Sequence, residues 1–134
     1  MRVAYVDTSC LVALAFDELG AEAWSRRLSE YDELVTANLT EAEFRVAMHR
    51  EGVEGAESFL AHLAWLLPDR PLGPEIERVI RTRYLRGADL WHLACALYLA
   101  DDPAEVDFVS LDDEQRATAR ALGFRVPTSP TAPR

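Results

Sequence analysis

Val3-Ala4-Tyr5-Val6-Asp7-Thr8-Ser9 sets a short apolar run directly before an acid and two hydroxyl residues. Residues 2–6 are apolar and β-branched without alternation, the pattern of a strand buried on both faces, as in a parallel sheet. An open parallel sheet binds ligands at the carboxyl ends of its strands. Asp7 therefore stands where such a fold places its chemistry. The last long apolar run, Val106-Asp107-Phe108-Val109-Ser110-Leu111-Asp112, repeats the arrangement with Asp112 at its end.

Working outward from these two runs, helical and extended patterns alternate. Strands are expected at residues 2–6, 33–37, 106–110 and, briefly, 124–126. Helices are expected at 9–16, 20–30, 40–50, 54–66, 74–85, 88–100 and 113–122. Residues 67–72, with Pro68 and Pro71, read as a connection holding at most a weak strand. Helix 88–100 carries Leu90, Leu93, Ala94, Ala96 and Leu97 and should lie largely inside. This alternation predicts an α/β fold: a three-layer α/β/α sandwich around a mostly parallel sheet. A single domain over residues 1–127 is expected, followed by a Pro-rich tail at 128–134.

Composition narrows the chemistry. The chain of 134 residues is 49% hydrophobic, enough for a proper core, and no apolar run is long enough to span a bilayer. The opening residues turn acidic too soon for a signal peptide, so a cytoplasmic protein without membrane association is expected. Cys10 and Cys95 follow no metal or redox spacing and read as buried free thiols. All 14 basic residues are arginine, which removes Schiff-base chemistry, a P-loop lysine and a lysine base. The net charge of −9 argues against broad nucleic-acid binding but leaves room for a local basic edge. The densest basic stretch, Arg78 to Arg86, supplies candidate phosphate contacts in Arg81, Arg83 and Arg86; the ordinary reading is a solvated helix face paired with Glu75 and Glu77.

Four acids carry the functional argument. Asp7 and Asp112 end strands; Glu43 and Asp89 open helices that rise from the same edge. Each has an ordinary explanation as a helix cap, with Thr40 and Glu43, and Asp112 and Gln115, at capping-box spacing. Capping does not explain why all four should share one end of the sheet. Carboxylates crowded there repel unless a cation lies between them, and a hard divalent cation with oxygen ligands suits that set. Asp7, Glu43, Asp89 and Asp112 are accordingly the candidate catalytic residues of metal-assisted phosphodiester hydrolysis, with Asp7, Asp89 and Asp112 as metal ligands. Ser9, His92 and Ser110 are candidates to support them, while Asp17, Asp32, Asp69, Asp101, Asp102, Asp107 and Asp113 read as solvated.

At these positions the sequence resembles the PIN domain family and, within it, VapC-type toxins of prokaryotic toxin–antitoxin pairs. Tyr5-Val6-Asp7-Thr8-Ser9 is similar to the family's first strand and acid. Leu39-Thr40-Glu41-Ala42-Glu43-Phe44 resembles its second-acid helix and places that acid at Glu43 rather than Glu41. Ala88-Asp89-Leu90-Trp91-His92-Leu93-Ala94 and Phe108-Val109-Ser110-Leu111-Asp112 resemble its third and fourth acidic segments, with Ser110 where Thr is more usual. The resemblance implies a Mg²⁺- or Mn²⁺-dependent endoribonuclease acting on RNA. It also implies a homodimer, held inactive by a cognate antitoxin that inserts a basic residue into the acidic pocket. Apolar side chains in the 54–66 helix, among them Phe59, Leu63 and Trp65, are a second reason to expect a dimer.

A non-catalytic acidic α/β interaction module is the competing expectation, and it predicts that the four acids lie apart. Haloacid-dehalogenase-type phosphatases want an acid where Ser9 stands, and receiver domains want a late lysine; both are disfavoured.

Overall fold

The computed structural model describes residues 1–128. Four parallel strands form one sheet in the order β3-β2-β1-β4: β1 Val3–Val6, β2 Glu33–Ala37, β3 Ala64–Leu66 and β4 Val106–Val109. Seven α-helices are described: α1 Thr8–Ala15, α2 Ala21–Leu28, α3 Leu39–Arg50, α4 Ala56–Leu60, α5 Gly73–Thr82, α6 Gly87–Leu99 and α7 Asp113–Leu122. The fold is the expected α/β sandwich, with the sheet wholly parallel among the described residues.

Alternation along the strands builds two cores. Ala4, Val6 and Val109 face α1, α2, α3 and α4, packing with Leu11, Trp24, Phe44 and Leu60. Tyr5, Val106 and Phe108 face α5, α6 and α7, packing with Val79, Leu93 and Ala119. Both faces of β1 and β4 are therefore inside, which is why these strands read as unbroken apolar runs. Tyr5 stacks on Phe108 with ring centroids 5.5 Å apart. Each large side chain so buried contributes roughly 1.5–3 kcal/mol.

The chain leaves β1 for β2 on one side and returns to β4 on the other, so β1 and β4 flank the point where strand order reverses. The helices that follow these two strands pack on opposite faces of the sheet. The carboxyl ends of β1 and β4 meet there, at the position where ligands bind in the crevice of such sheets.

Three expected elements differ. The helix expected at 54–66 is only α4, Ala56–Leu60, and Ala64–Leu66 is instead edge strand β3. A short apolar run suits either state, and here pairing of Val35, Thr36 and Ala37 with Ala64, Trp65 and Leu66 decides it. The weak strand allowed within 67–72 is absent, and the strand expected at 124–126 shrinks to one parallel bridge between Asp107 and Arg125. The apolar side chains of the 54–66 segment are mostly used internally: Leu60 and Leu63 are buried, Phe59 meets Phe44 edge-on, and Trp65 is 37% exposed. Beyond Thr128, the expected tail at 128–134 lies outside the described residues. Among those residues no helix is long and apolar enough to cross a membrane.

Candidate active site

Register brings the first partners together. Val6 pairs with Val109, so the next residue on β1, Asp7, arrives beside Ser110, and the Asp7 amide donates to the Val109 carbonyl at 2.9 Å. Asp7 is also the N-cap of α1. Its Oδ2 accepts from the Ser9 amide at 3.3 Å and the Ser9 hydroxyl at 2.6 Å, and lies 3.1 Å from Ser110 Oγ. Ser9 Oγ in turn accepts the Leu111 amide, and Ser110 Oγ accepts the Asp112 amide, each at 3.0 Å. One carboxylate oxygen of Asp7 is thus saturated by this chain. The other, Oδ1, lies 3.6 Å from His92 Nε2.

Glu43 and His92 meet next. α3 follows β2 and α6 runs across the sheet, so that Glu43 Oε1 lies 2.8 Å from His92 Nε2 and accepts the Thr8 hydroxyl at 2.8 Å. His92 is 1% exposed, and its Nδ1 lies 2.7 Å from the Tyr5 hydroxyl, which accepts the Ala37 amide at 3.3 Å. An ionised carboxylate only accepts, so Nε2 carries a ring proton facing Glu43, and Nδ1 shares the second hydrogen bond with Tyr5. The His92 hydrogen bond holds the Glu43 carboxyl below its ordinary range, with the Thr8 bond adding to it against partial burial. Burial is also what raises the Tyr5 hydroxyl well above its usual value, which keeps it a donor. Below these groups, Thr36, Thr40 and Thr8 form a buried hydroxyl ladder with steps of 2.6 and 3.3 Å, anchored on the Val6 carbonyl at 2.7 Å.

Asp89 and Asp112 complete the crevice through Gln115. Asp112 caps α7, accepting the Gln115 amide at 2.8 Å. The Gln115 side chain, fully buried, takes Ser110 Oγ at 3.0 Å and sends its amide to the Asp89 carbonyl at 3.2 Å, with Asp89 Oδ1 at 3.5 Å. The Asp89 carboxyl is pushed up, first by burial, then by the charges of Asp112, Asp7 and Glu43, with His92 opposing them. Asp89 thus feels the other three acids, and the four grade outward: Asp7 is buried, Glu43 and Asp89 half-buried, and Asp112 exposed.

Several ordinary readings fail here. Thr40 does not cap α3; Asn38 holds that position without a side-chain bond, and the Thr40 hydroxyl turns inward to Thr36. Asp89 lies in the first turn of α6, whose cap position is Arg86. Asp7 and Asp112 do cap helices while facing the crevice. Asp107, expected in solvent, is buried on β4 with Tyr31 Oη at 2.5 Å and Arg125 Nε at 2.6 Å. Glu75 pairs with Arg70 rather than with the arginines of α5. The crevice also recruits Tyr5, Thr8, Thr40 and Gln115, none of which stood out as site residues. Thr40 and Gln115 left a sequence trace as capping-box partners, but the Thr40 hydroxyl turns to Thr36 and the Gln115 side chain goes to Asp89 instead of closing the box.

The donor set consists of carboxylate oxygens, as a hard divalent cation requires. Among the described residues no three His, Cys, Asp or Glu side chains are gathered tightly enough to hold an ion directly. That spacing suits Mg²⁺, which keeps several waters and binds through one or two carboxylates. Mutual repulsion at Asp89 is the second sign of fit, because a cation would relieve it.

No curated protein matches the chain in sequence comparison. The PIN domain profile matches residues 4–121, which takes in all four acids, strands β2, β3 and β4, and β1 from Ala4 onward. PIN domains are generally nucleases, and these nucleases generally use divalent metal ions. With most of its length matched and an all-parallel sheet of the expected kind, the chain belongs to the PIN domain family.

Proposed function

We propose that the protein is a Mg²⁺- or Mn²⁺-dependent endoribonuclease, the toxin of a toxin–antitoxin pair, acting in the cytoplasm. The observation that carries this reading is the pressure on Asp89 from Asp112, Asp7 and Glu43 at the reversal point of the sheet. A fold gains nothing in stability from charges that repel one another, so their gathering points to a ligand.

Asp7 and Asp89 would be the main metal ligands, with Asp112 and Glu43 completing the pocket. The bound cation supplies polarisation of the phosphate and a lower pKa for an attacking water. The chain's own residues supply position. Ser9 and Ser110 pin Asp7 Oδ2, which turns Oδ1 towards the crevice. His92 and Thr8 both bond Glu43 Oε1, keeping that carboxylate ionised and fixed. Gln115 holds Asp89 and Asp112 relative to each other. Asp89, with its raised carboxyl, takes up a proton more readily than an ordinary aspartate when cation is scarce.

The similarity of the four acidic segments to VapC-type toxins supports a homodimer and a small antitoxin as partners. The negative field of the crevice favours a partner arginine there, where it would compete with both cation and substrate phosphate.

The test is incubation of the purified chain with RNA in Mg²⁺, in Mn²⁺ and in excess chelator. Metal-dependent cleavage, lost in Asp89→Asn, is expected; cleavage that persists undiminished in chelator overturns the reading. Stoichiometric binding of the neighbouring open reading frame's product should abolish the cleavage.

A further inference from the structure

Arg83-Tyr84-Leu85-Arg86 joins α5 to α6, the helix that bears Asp89. Leu85 is buried in the core of the α5–α6–α7 face, while Tyr84 is 88% exposed. The backbone is extended at Arg83 (φ −165°, ψ 144°) and at Arg86 (φ −66°, ψ 158°). Alternate residues of an extended chain face opposite sides, so anchoring Leu85 turns Tyr84 and Arg86 out together. An aromatic ring held in water forgoes the free energy that burial would supply.

The flanking charges are equally unspent. Arg81, Arg83 and Arg86 are exposed, and among the described residues none makes an ion pair or a side-chain hydrogen bond. Among the described residues, other arginines divide: Arg26 pairs with Glu22, Arg45 with Glu41 and Glu57, Arg70 with Glu75 and Arg125 with Asp107, while Arg27, Arg78 and Arg116 bond only backbone carbonyls and Arg120 has neither kind of contact. In a chain with 23 acidic residues against 14 arginines, three unpaired arginines nonetheless cluster within residues 81–86, around a bare aromatic ring. Tyr84 stands five residues before Asp89, and at ~3.6 Å per residue its Cα lies no more than about 18 Å away.

We propose that this segment is a binding ledge for single-stranded RNA, on which Tyr84 stacks against one unpaired base and Arg81, Arg83 and Arg86 hold neighbouring phosphates. The ledge rests on the nuclease reading for its ligand, but its contacts are its own. Aromatic stacking accepts any base with a free face, and clustered arginines neutralise the backbone. A duplex hides its base faces and should lose the Tyr84 contribution. The arrangement answers the difficulty of the −9 charge: RNA approaches along a local edge where uncommitted arginines cluster.

The test measures binding apart from cleavage. Asp112→Asn keeps a good helix cap, and this variant in chelator is titrated with an end-labelled single-stranded oligoribonucleotide, read by fluorescence anisotropy. Tyr84→Ala should weaken binding by roughly five- to 150-fold, the range of one lost stack, and Tyr84→Trp should restore it. The indole emission that Tyr84→Trp adds should be quenched by the single strand and far less by its duplex. Arg83→Gln and Arg86→Gln should each reduce the slope of log affinity against log salt by about 0.7. No detectable binding, or equal affinity for Tyr84→Ala with unchanged salt slopes, overturns the ledge. So does a change of mass in light scattering upon Tyr84→Ala at unaltered RNA affinity, which would make the ring a contact between copies of the chain. Tyr84-dependent binding by a wild-type chain that cuts no RNA in Mg²⁺ would retire the nuclease reading and keep the ledge. Cleavage with a KM indifferent to Tyr84 would do the reverse.

Discussion

His92 Nε2 and Glu43 Oε1 stand 2.8 Å apart, with the imidazole almost wholly buried and the carboxylate half open to the crevice. The pair joins α6 to α3 across the ends of the strands. Tyr5 occupies the far ring nitrogen, so the imidazole is held at both of its nitrogens.

His92→Ala should therefore raise the Glu43 carboxyl and cost roughly 1–3 kcal/mol in urea unfolding, since Tyr5 and Glu43 each lose a partner. The pH dependence should change with it. Glu43 lies below its ordinary 4.5, so its contribution is complete above about that pH and is lost as pH falls through the depressed folded value. The variant should lose most of that acid-side slope. In the wild type, ¹⁵N shifts should report the Nε2-protonated tautomer of His92, and Tyr5→Phe should relax it.

Asp89 carries the opposite sign. Its folded carboxyl lies above 3.8, so the folded state holds a proton that the unfolded chain has released, and stability falls as pH rises from about 3.8 through the folded value. Asp89→Asn should remove this fall and raise stability by about 1 kcal/mol or less, because the group is partly solvated and screened. Added Mg²⁺ should raise the wild-type Tm through binding linkage, and should do so much less in the variant. A wild-type Tm indifferent to millimolar Mg²⁺ and Mn²⁺ would count against the metal site.

At the far end of the strands, Asp107 is held between Tyr31 and Arg125. Arg125→Ala leaves a buried carboxylate short of its cation and should cost about 1–3 kcal/mol. Asp107→Asn keeps the Tyr31 contact available and should cost less. Neither should alter RNA cleavage at a temperature where both variants are folded. Denaturation curves paired with activity at that temperature decide the matter.

The thiols of Cys10 and Cys95 are buried, and burial pushes both up to about 12. At pH 8 almost no thiolate exists, so alkylation of the native protein should be slow at both positions. Both should label at once in denaturant. Fast labelling of one in the native state would show that its helix opens.

Much of this is legible in the sequence itself. Asp7 and Asp112 can be placed because their strands are buried on both faces and end abruptly in acid. Strand β3 cannot, since Ala64–Leu66 is short and apolar and its state is set by β2, far earlier in the chain. Asp107 reads as solvated because its partners, Tyr31 and Arg125, are distant in sequence. Tyr5 and Thr40 read as core and cap residues; only the packing of α6 and β2 shows that their hydroxyls serve His92 and the threonine ladder.

The saturation of Asp7 bears on how such a site is silenced. Asn is the customary neutral replacement because it keeps the shape of Asp. At position 7, however, the Ser9 amide and hydroxyl both donate to Oδ2, so an asparagine must turn its single oxygen there. Its amino group would then face His92 Nε2, donor against donor. The imidazole would have to surrender that proton or swing away from Glu43, and the damage would spread to a second acid. Loss of activity in Asp7→Asn would thus report two injuries, whereas Asp112→Asn, whose cap tolerates the change, would report one.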